Sequence, residues 1–146
     1  MSDPIIYEPT VNRAKSIGKG TKIGAFCDIG TDVEIGEDCN IQCRVSIPNG
    51  TKIGNRVFIG PNVTFLNDKY PPSSKNLPPT IEDDVVLGGS CTIFPGIRVS
   101  SGIVVGGSAV VTKSLYNKGV YFGNPAKYKY DINKYFAKKK IYEESH

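Results

Sequence analysis

From Ile17 to Phe65 every sixth residue is large and apolar: Ile17, Ile23, Ile29, Ile35, Ile41, Ile47, Ile53, Ile59 and Phe65. Six is a multiple of the two-residue repeat of extended chain, so these side chains can all point to one face. It is not a multiple of 3.6, so a helix would scatter them around its axis. Four residues after each comes a small or β-branched residue: Thr21, Cys27, Val33, Cys39, Val45, Thr51, Val57 and Val63. Glycine follows the large residue at Gly18, Gly24, Gly30, Gly36, Gly54 and Gly60, where a positive φ or a tight backbone would let the chain turn a corner. No single unit of this kind can bury its apolar face, so the units must coil and stack, which predicts a parallel β-helix. Hairpins of a β-sandwich would not hold a strict period of six for so long.

The period continues after an interruption. Residues 66–80 contain four prolines and no repeat, and the hexads resume at Ile81, Leu87, Ile93, Val99, Val105 and Val111. An aperiodic stretch of that length leaving a rigid scaffold in mid-coil is where binding residues concentrate. Ile5 and Val11 extend the phase backwards, which predicts a partial first turn that caps the core. Fifteen hexads taken three to a coil predict five coils, a rod of roughly 24 Å. Residues 1–127 form the coil domain, and 128–146 a tail. Ile132, Tyr135, Phe136 and Lys139 share a face at helical spacing, so the tail is expected to be a helix that closes the open end of the core.

The chain's 146 residues suit one domain, and no apolar run is long enough to span a bilayer. Met1-Ser2-Asp3-Pro4 lacks the basic and apolar regions of a signal peptide, so a cytoplasmic location is expected. The net charge is only +4, with a lysine run at Lys138–Lys140 in the tail, and the coil has no basic, aromatic-interleaved face for nucleic acid. Cys27, Cys39 and Cys91 fall at the small inward position and Cys43 at a face position. No Cys-x-x-Cys pair occurs and no histidine lies near, so no metal site is expected.

The hexads, the extruded loop and Gly123-Asn124-Pro125-Ala126-Lys127 together resemble the hexapeptide acyltransferases, left-handed parallel β-helices that work as trimers. Phe65-Leu66-Asn67-Asp68-Lys69-Tyr70-Pro71 is similar to the Phe-Thr-Asn-Asp-x-Tyr-Pro segment of the nucleotide-amino-sugar N-acetyltransferases, the WxcM-like group included. Ile41-Gln42 followed by Val45-Ser46 is similar to their Ile-Gln-Asn-Asn-Val-Ser. Leu66 stands where the family has Thr, and Cys43-Arg44 where it has Asn-Asn. The resemblance implies a homotrimer that uses acetyl-CoA and a nucleotide-linked amino sugar, without a metal. Asn67 then becomes the candidate to donate to the oxyanion or to hold the sugar, and Asp68 a candidate acceptor from the amine or a sugar hydroxyl. Tyr70, Lys69 and Gln42 become candidate substrate contacts. Gly89, Ser90, Gly107 and Ser108 offer small corners to a pantetheine arm, while Lys113, Asn124, Pro125 and Lys127 are candidate contacts at the phosphate and adenine end.

A missing residue narrows the chemistry. The only histidine is His146. An alcohol must lose a proton as it attacks a thioester, so a base tuned near neutral pH helps. A sugar amine titrating near an α-amino group, about 7.7 to 8.0, is already partly neutral and nucleophilic. The chain therefore suits N-acetylation by direct attack. The alternatives are an O-acetyltransferase with another base, or a silent hexapeptide scaffold. A three-histidine metal site of the carbonic anhydrase kind is ruled out by composition.

Overall fold

The computed structural model describes residues 2–145, so His146 lies outside the described residues. The chain winds as a left-handed parallel β-helix of about six coils. Each strand of the six coils is two residues long. The first coil holds β1 (Ile5–Ile6), β2 (Val11–Asn12) and β3 (Ser16–Ile17); the second β4 (Lys22–Ile23), β5 (Asp28–Ile29) and β6 (Glu34–Ile35). The third holds β7 (Asn40–Ile41), β8 (Ser46–Ile47) and β9 (Lys52–Ile53); the fourth β10 (Phe58–Ile59), β11 (Thr64–Phe65) and β12 (Thr80–Ile81). The fifth holds β13 (Val86–Leu87), β14 (Thr92–Ile93) and β15 (Arg98–Val99); the sixth β16 (Val104–Val105), β17 (Val110–Val111) and a bridge from Leu115 to Val99. Strands β18 (Val120–Phe122) and β19 (Lys127–Tyr130) and helix α1 (Ile132–Ser145) follow. Every third strand pairs in parallel, which makes three flat faces.

The register explains the hexads. Ile23, Ile41 and Ile59 align on the first face, Ile29 and Ile47 on the second, Ile35 and Ile53 on the third, each step advancing 18 residues. These residues fill one continuous core with the inward valines and with Cys27, Cys39 and Cys91. Most inward polar atoms are satisfied by the next coil, and Thr51 by Pro48 O in its own. Thr21 Oγ1 donates to Gly36 O at 2.7 Å, and the thiols of Cys39 and Cys91 donate to Gly54 O at 3.1 Å and Gly106 O at 3.0 Å. Burial pushes the Cys91 thiol up to about 11, so it stays protonated and inert.

Four expectations are corrected. The lead-in is a complete sixth coil, not a partial turn, so five coils was one too few. Its phase is also slipped by one residue. Ile6 pairs beside Ile23 and Asn12 beside Ile29, so Ile5 and Val11 face solvent at 41% and 53% exposure. A one-residue slip flips every side chain of a strand to the other face. The hexad glycines do not supply the left-handed backbone. That conformation falls two residues later, at Gly20, Phe26, Asp32, Asp38, Arg44, Gly50, Arg56 and Asn62. Glycine is needed after the large residue because coils touch there: a Cβ on Gly60 would lie 2.5 Å from Gly89 N. Last, α1 buries no residue and so does not close the core. The end is covered by Val120 and Tyr121 of β18, against which Tyr128 of the returning β19 packs edge-on at 5.7 Å.

The interruption at 66–79 leaves the register intact on both sides. Ile53 and Ile81 pair 28 residues apart instead of 18, and the coils above and below continue in phase.

Candidate active site

The loop departs at the corner between the second and third faces, here the second corner, and its base is pinned. Asn67 Nδ2 donates to Asn76 Oδ1 at 2.7 Å, and Asn76 Nδ2 donates to Asn49 O on the coil below at 3.0 Å. Leu77 N donates to Asn67 O at 2.7 Å, and Gly96 N on the coil above donates to Leu77 O at 2.9 Å. The tip is a smaller unit. Asp68 accepts from Ser73 N at 2.7 Å and from the Ser73 hydroxyl, and these bonds hold its carboxyl below the usual carboxylate range.

Beside the loop lies a cleft of about 440 Å3 walled by Leu66, Asp68, Tyr70, Phe94, Pro95 and Thr112. Lys69 Nζ stands 5.6 Å from the centre of the Tyr70 ring. A second hollow of about 420 Å3, lined by Ser73, Lys75 and Leu77, lies on the other side of Lys69 and Tyr70. Lys113 follows Thr112 on the same corner, so it belongs with the loop and not with the other expected coenzyme residues.

Those other residues run along the corner between the first and second faces, the first corner. Ser90 N donates to Pro61 O at 2.9 Å and Ser108 N to Gly89 O at 2.8 Å, so the three corners stack. The paired glycines have different reasons. A Cβ on Gly88 would meet Gly107 N at 2.5 Å, and one on Gly106 would run into the Phe122 ring at 1.9 Å, so both are dictated by packing. A Cβ on Gly89 or Gly107 would meet nothing closer than a carbonyl oxygen at 3.4 Å. Neither residue has a positive φ, so the fold does not require glycine at either place. The ridge ends at the turn carrying Asn124 and Pro125. There Val110 N donates to Gly123 O at 2.9 Å and Ala126 N to Val110 O at 2.8 Å, which fastens the turn to the last strand of the second face. Lys127 opens β19 beyond it and is exposed.

Gln42 also sits on the first corner, lower down. Its Nε2 donates to Asn40 Oδ1 at 2.6 Å, and it lines a cleft of about 250 Å3 with Tyr7, Lys22, Asn40 and Cys43. The chain thus gathers Gln42, Gly89, Ser90, Gly107, Ser108, Asn124 and Pro125 along one edge of the second face, and Asn67, Asp68, Lys69, Tyr70 and Lys113 along the other. Neither hollow beside the loop includes a first-corner residue. Sequence reasoning missed Ser73 and Asn76, the partners of Asp68 and Asn67. It missed Tyr7 and Lys22 as well; the usable signal for Tyr7 was the slipped phase of the first coil, which puts Ile6 inward and Tyr7 at the corner.

Among family models, one described as bacterial transferase hexapeptide (six repeats) matches residues 15–49 and 35–67, and one described as hexapeptide repeat of succinyl-transferase matches residues 78–113. The galactoside O-acetyltransferase of Lactococcus lactis is 35% identical over 89 residues, 56% of this chain and 43% of that protein. The 2,3,4,5-tetrahydropyridine-2,6-dicarboxylate N-acetyltransferase of Staphylococcus aureus is 36% identical over 74 residues, 51% of this chain and 30% of its own. The chain spans less than half the length of these curated relatives. Among solved structures, a mutant of AntD, an N-acyltransferase from Bacillus cereus, was crystallised with dTDP-4-amino-4,6-dideoxyglucose and coenzyme A. It superposes with a TM-score of 0.74 at 21% identity, covering 99% of this chain and 86% of that one. PerB from Caulobacter crescentus, in complex with CoA and GDP-perosamine, gives 0.69 at 20% identity, covering 87% and 54%. At these identities the likeness is one of fold.

Proposed function

The chain belongs to the hexapeptide-repeat transferases, and from that premise we propose that it moves an acetyl group from acetyl-CoA to the amine of a nucleotide-linked deoxysugar. The observation that carries this reading is the strip formed by Gly89 and Gly107. Two stacked glycines that packing does not demand leave bare backbone on an exposed corner, below the turn of Asn124 and Pro125. A pantetheine arm can lie flat there and hydrogen-bond to peptide groups, with its phosphates toward Lys127.

The loop residues expected to meet the acceptor amine, Asn67 and Asp68, lie on the opposite edge of the second face, so one chain does not hold a complete site. Three copies arranged about a threefold axis, each setting its 66–79 loop against the first corner of a neighbour, would complete three sites. In each, the neutral amine attacks the thioester carbonyl carbon. The C–N bond forms, the tetrahedral oxyanion collapses, the C–S bond breaks, and the leaving thiolate takes the proton that the new ammonium sheds. Asn67 Nδ2 gives one hydrogen to Asn76 and keeps another for the oxyanion. Asp68 is a weak base, already occupied by Ser73, and suits orientation of the acceptor better than proton removal. An acceptor that needs no base fits this surrounding, which favours an amine over a hydroxyl.

A thermal-shift screen with coenzyme A and with dTDP- and UDP-linked amino sugars tests the proposal. A ligand at 100 times its Kd stabilises the native state by about 2.7 kcal/mol. Failure of coenzyme A to raise the melting temperature would remove the transferase and leave a scaffold. Efficient acetylation of the hydroxyl analogue of an accepted sugar would replace N- by O-acetylation.

A further inference from the structure

Four cations on the coils face an acid on a neighbouring strand. Arg13 meets Asp28 at 3.2 Å, Lys52 meets Glu34 at 3.8 Å, Arg56 meets Asp84 at 2.8 Å and Arg98 meets Glu82 at 3.0 Å. The cleft at the first corner of the lowest coils is lined by no acid and holds no such pair among the described residues. Lys22 projects from the first face between Ile5 below and Asn40 above and forms no ion pair among the described residues. Arg44, on the same corner, gives its Nε to Asn62 Oδ1 at 2.9 Å and also meets no carboxylate. The carboxylate closest in sequence on that corner, Glu8, is turned to the Thr10 amide at 2.7 Å.

Aromatic rings at this place are equally unpartnered. Tyr7 lines the cleft at 55% exposure and stacks on no ring or cation among the described residues, whereas the Tyr70 ring already carries Lys69. Phe26 stands on the same ridge, 63% exposed and with φ at 63°, a conformation costly for a bulky residue and normally left to Gly, Asn or Asp. A strained, solvent-facing aromatic and a guanidinium that meets no acid, on the corner ridge of a cleft that holds an unpaired lysine and the carboxamides of Asn40 and Gln42, are poor material for stability and good material for recognition.

We propose that this cleft is a nucleoside diphosphate subsite: Tyr7, with Phe26 at the rim, takes the face of the base, Lys22 and Arg44 take the phosphates, and Gln42 marks the side on which the attached sugar leaves. The assignment rests on the acetyl-transfer reading above and adds to it where the nucleotide half of the acceptor is held. It lies on the same corner as the glycine strip, two coils lower, so the sugar amine would extend upward from Gln42 toward the thioester. A nucleoside phosphate also forms one end of coenzyme A, and the two sources are separable.

Calorimetric titration of the full chain with UDP, dTDP and, separately, coenzyme A makes the test. The wild-type chain should bind at least one of the two diphosphates. Tyr7→Ala and Lys22→Met should each weaken it about tenfold or more, the range of a lost base stack or phosphate contact, with coenzyme A affinity unchanged. Tyr7→Phe keeps the ring and should bind like wild type, and so should Lys52→Met, whose lysine is paired on another face. Melting curves of each variant establish that it is folded. Diphosphate binding unaltered in Tyr7→Ala and Lys22→Met would overturn the subsite and leave acetyl transfer standing. Loss of coenzyme A affinity alone in these variants would overturn it too, by giving the cleft to the cosubstrate. No diphosphate binding by a chain that still acetylates a free amino sugar would overturn both the subsite and the nucleotide part of the function.

Discussion

Asn76 is the residue through which the loop can be loosened without touching the coil. Its side chain is the middle of a relay, accepting from Asn67 at 2.7 Å and donating to Asn49 O at 3.0 Å. Asn76→Ala removes both bonds. An ordinary hydrogen bond contributes about 0.5–1.5 kcal/mol net, and at this exposed site the low end applies, so the pair should be worth about 1–2 kcal/mol. That free energy belongs to the base of the loop alone, because the coils pair across it without interruption. The expected result is amide exchange about 5 to 30 times faster at Leu77, whose N–H is held by Asn67 O, and at Gly96, whose N–H is held by Leu77 O. Exchange at Gly88 and Thr92, bonded to Val105 and Ala109 in the coil above, should stay as in wild type. In turnover, an acceptor loop that spends more time open should raise KM for the amino sugar and leave coenzyme A affinity alone. Unchanged protection at Leu77 would refute the relay as the fastening of the loop. Equal acceleration at Thr92 would refute its independence from the coil.

Asn67→Ala separates fastening from chemistry: an oxyanion donor should cost about ten- to a thousandfold in kcat, well beyond the effect of Asn76→Ala, and equal losses in the two variants would reduce Asn67 to a tether. Gly88→Ala should lower Tm by about 3–10 °C, because the new methyl meets backbone at 2.5 Å, while Gly89→Ala should melt like wild type and weaken coenzyme A about tenfold; a folded Gly89→Ala with full coenzyme A affinity removes the strip from the site. The pH dependence of log(kcat/KM) should rise with unit slope to the pKa of the acceptor amine and move with that amine. Asp68, held low by Ser73, contributes to loop order that is present above the ordinary carboxylate value and lost as pH falls through its own lower one, so from about pH 6 to 9 it adds no inflection, and Asp68→Asn should not shift the profile. Light scattering should report three copies per particle, and a stable monomer at micromolar concentration would contradict a site shared between chains.

The core was legible because its constraint is periodic. Ile23 to Phe65 and Ile81 to Val111 are buried where the spacing of six put them. Legibility ended where two explanations shared one residue type. Glycine after each large residue suggested either a left-handed corner or a tight backbone; the left-handed corner uses Phe26, Arg44 and Asn62, and glycine answers to the close contact between coils. The first coil was misphased because isoleucine occupies both position 5 and position 6, and only pairing beside Lys22 and Ile23 decides which faces in. At the site, Asn67 and Asp68 could be picked out by their motif. Their engagement with Asn76 and Ser73 depends on how the loop returns, about which an aperiodic stretch says nothing. The free Lys22 could not be read at all, since an unpaired charge is defined by what the neighbouring coil lacks.

The 18-residue advance has a kinetic consequence. Every strand finds its partner one coil away along the chain, so forming the rod resembles closing a zipper, in which each coil templates the next. Ten inserted residues widen one step from 18 to 28, which raises the loop-closure cost by only about 0.4 kcal/mol. The loop is thus a cheap place for sequence to vary, and a single slow tooth between two fast runs of coils. Fraying should begin instead at the lower rim, where Ile6 and Ile17 are only half covered and β1, β2 and β3 have no coil beneath them among the described residues.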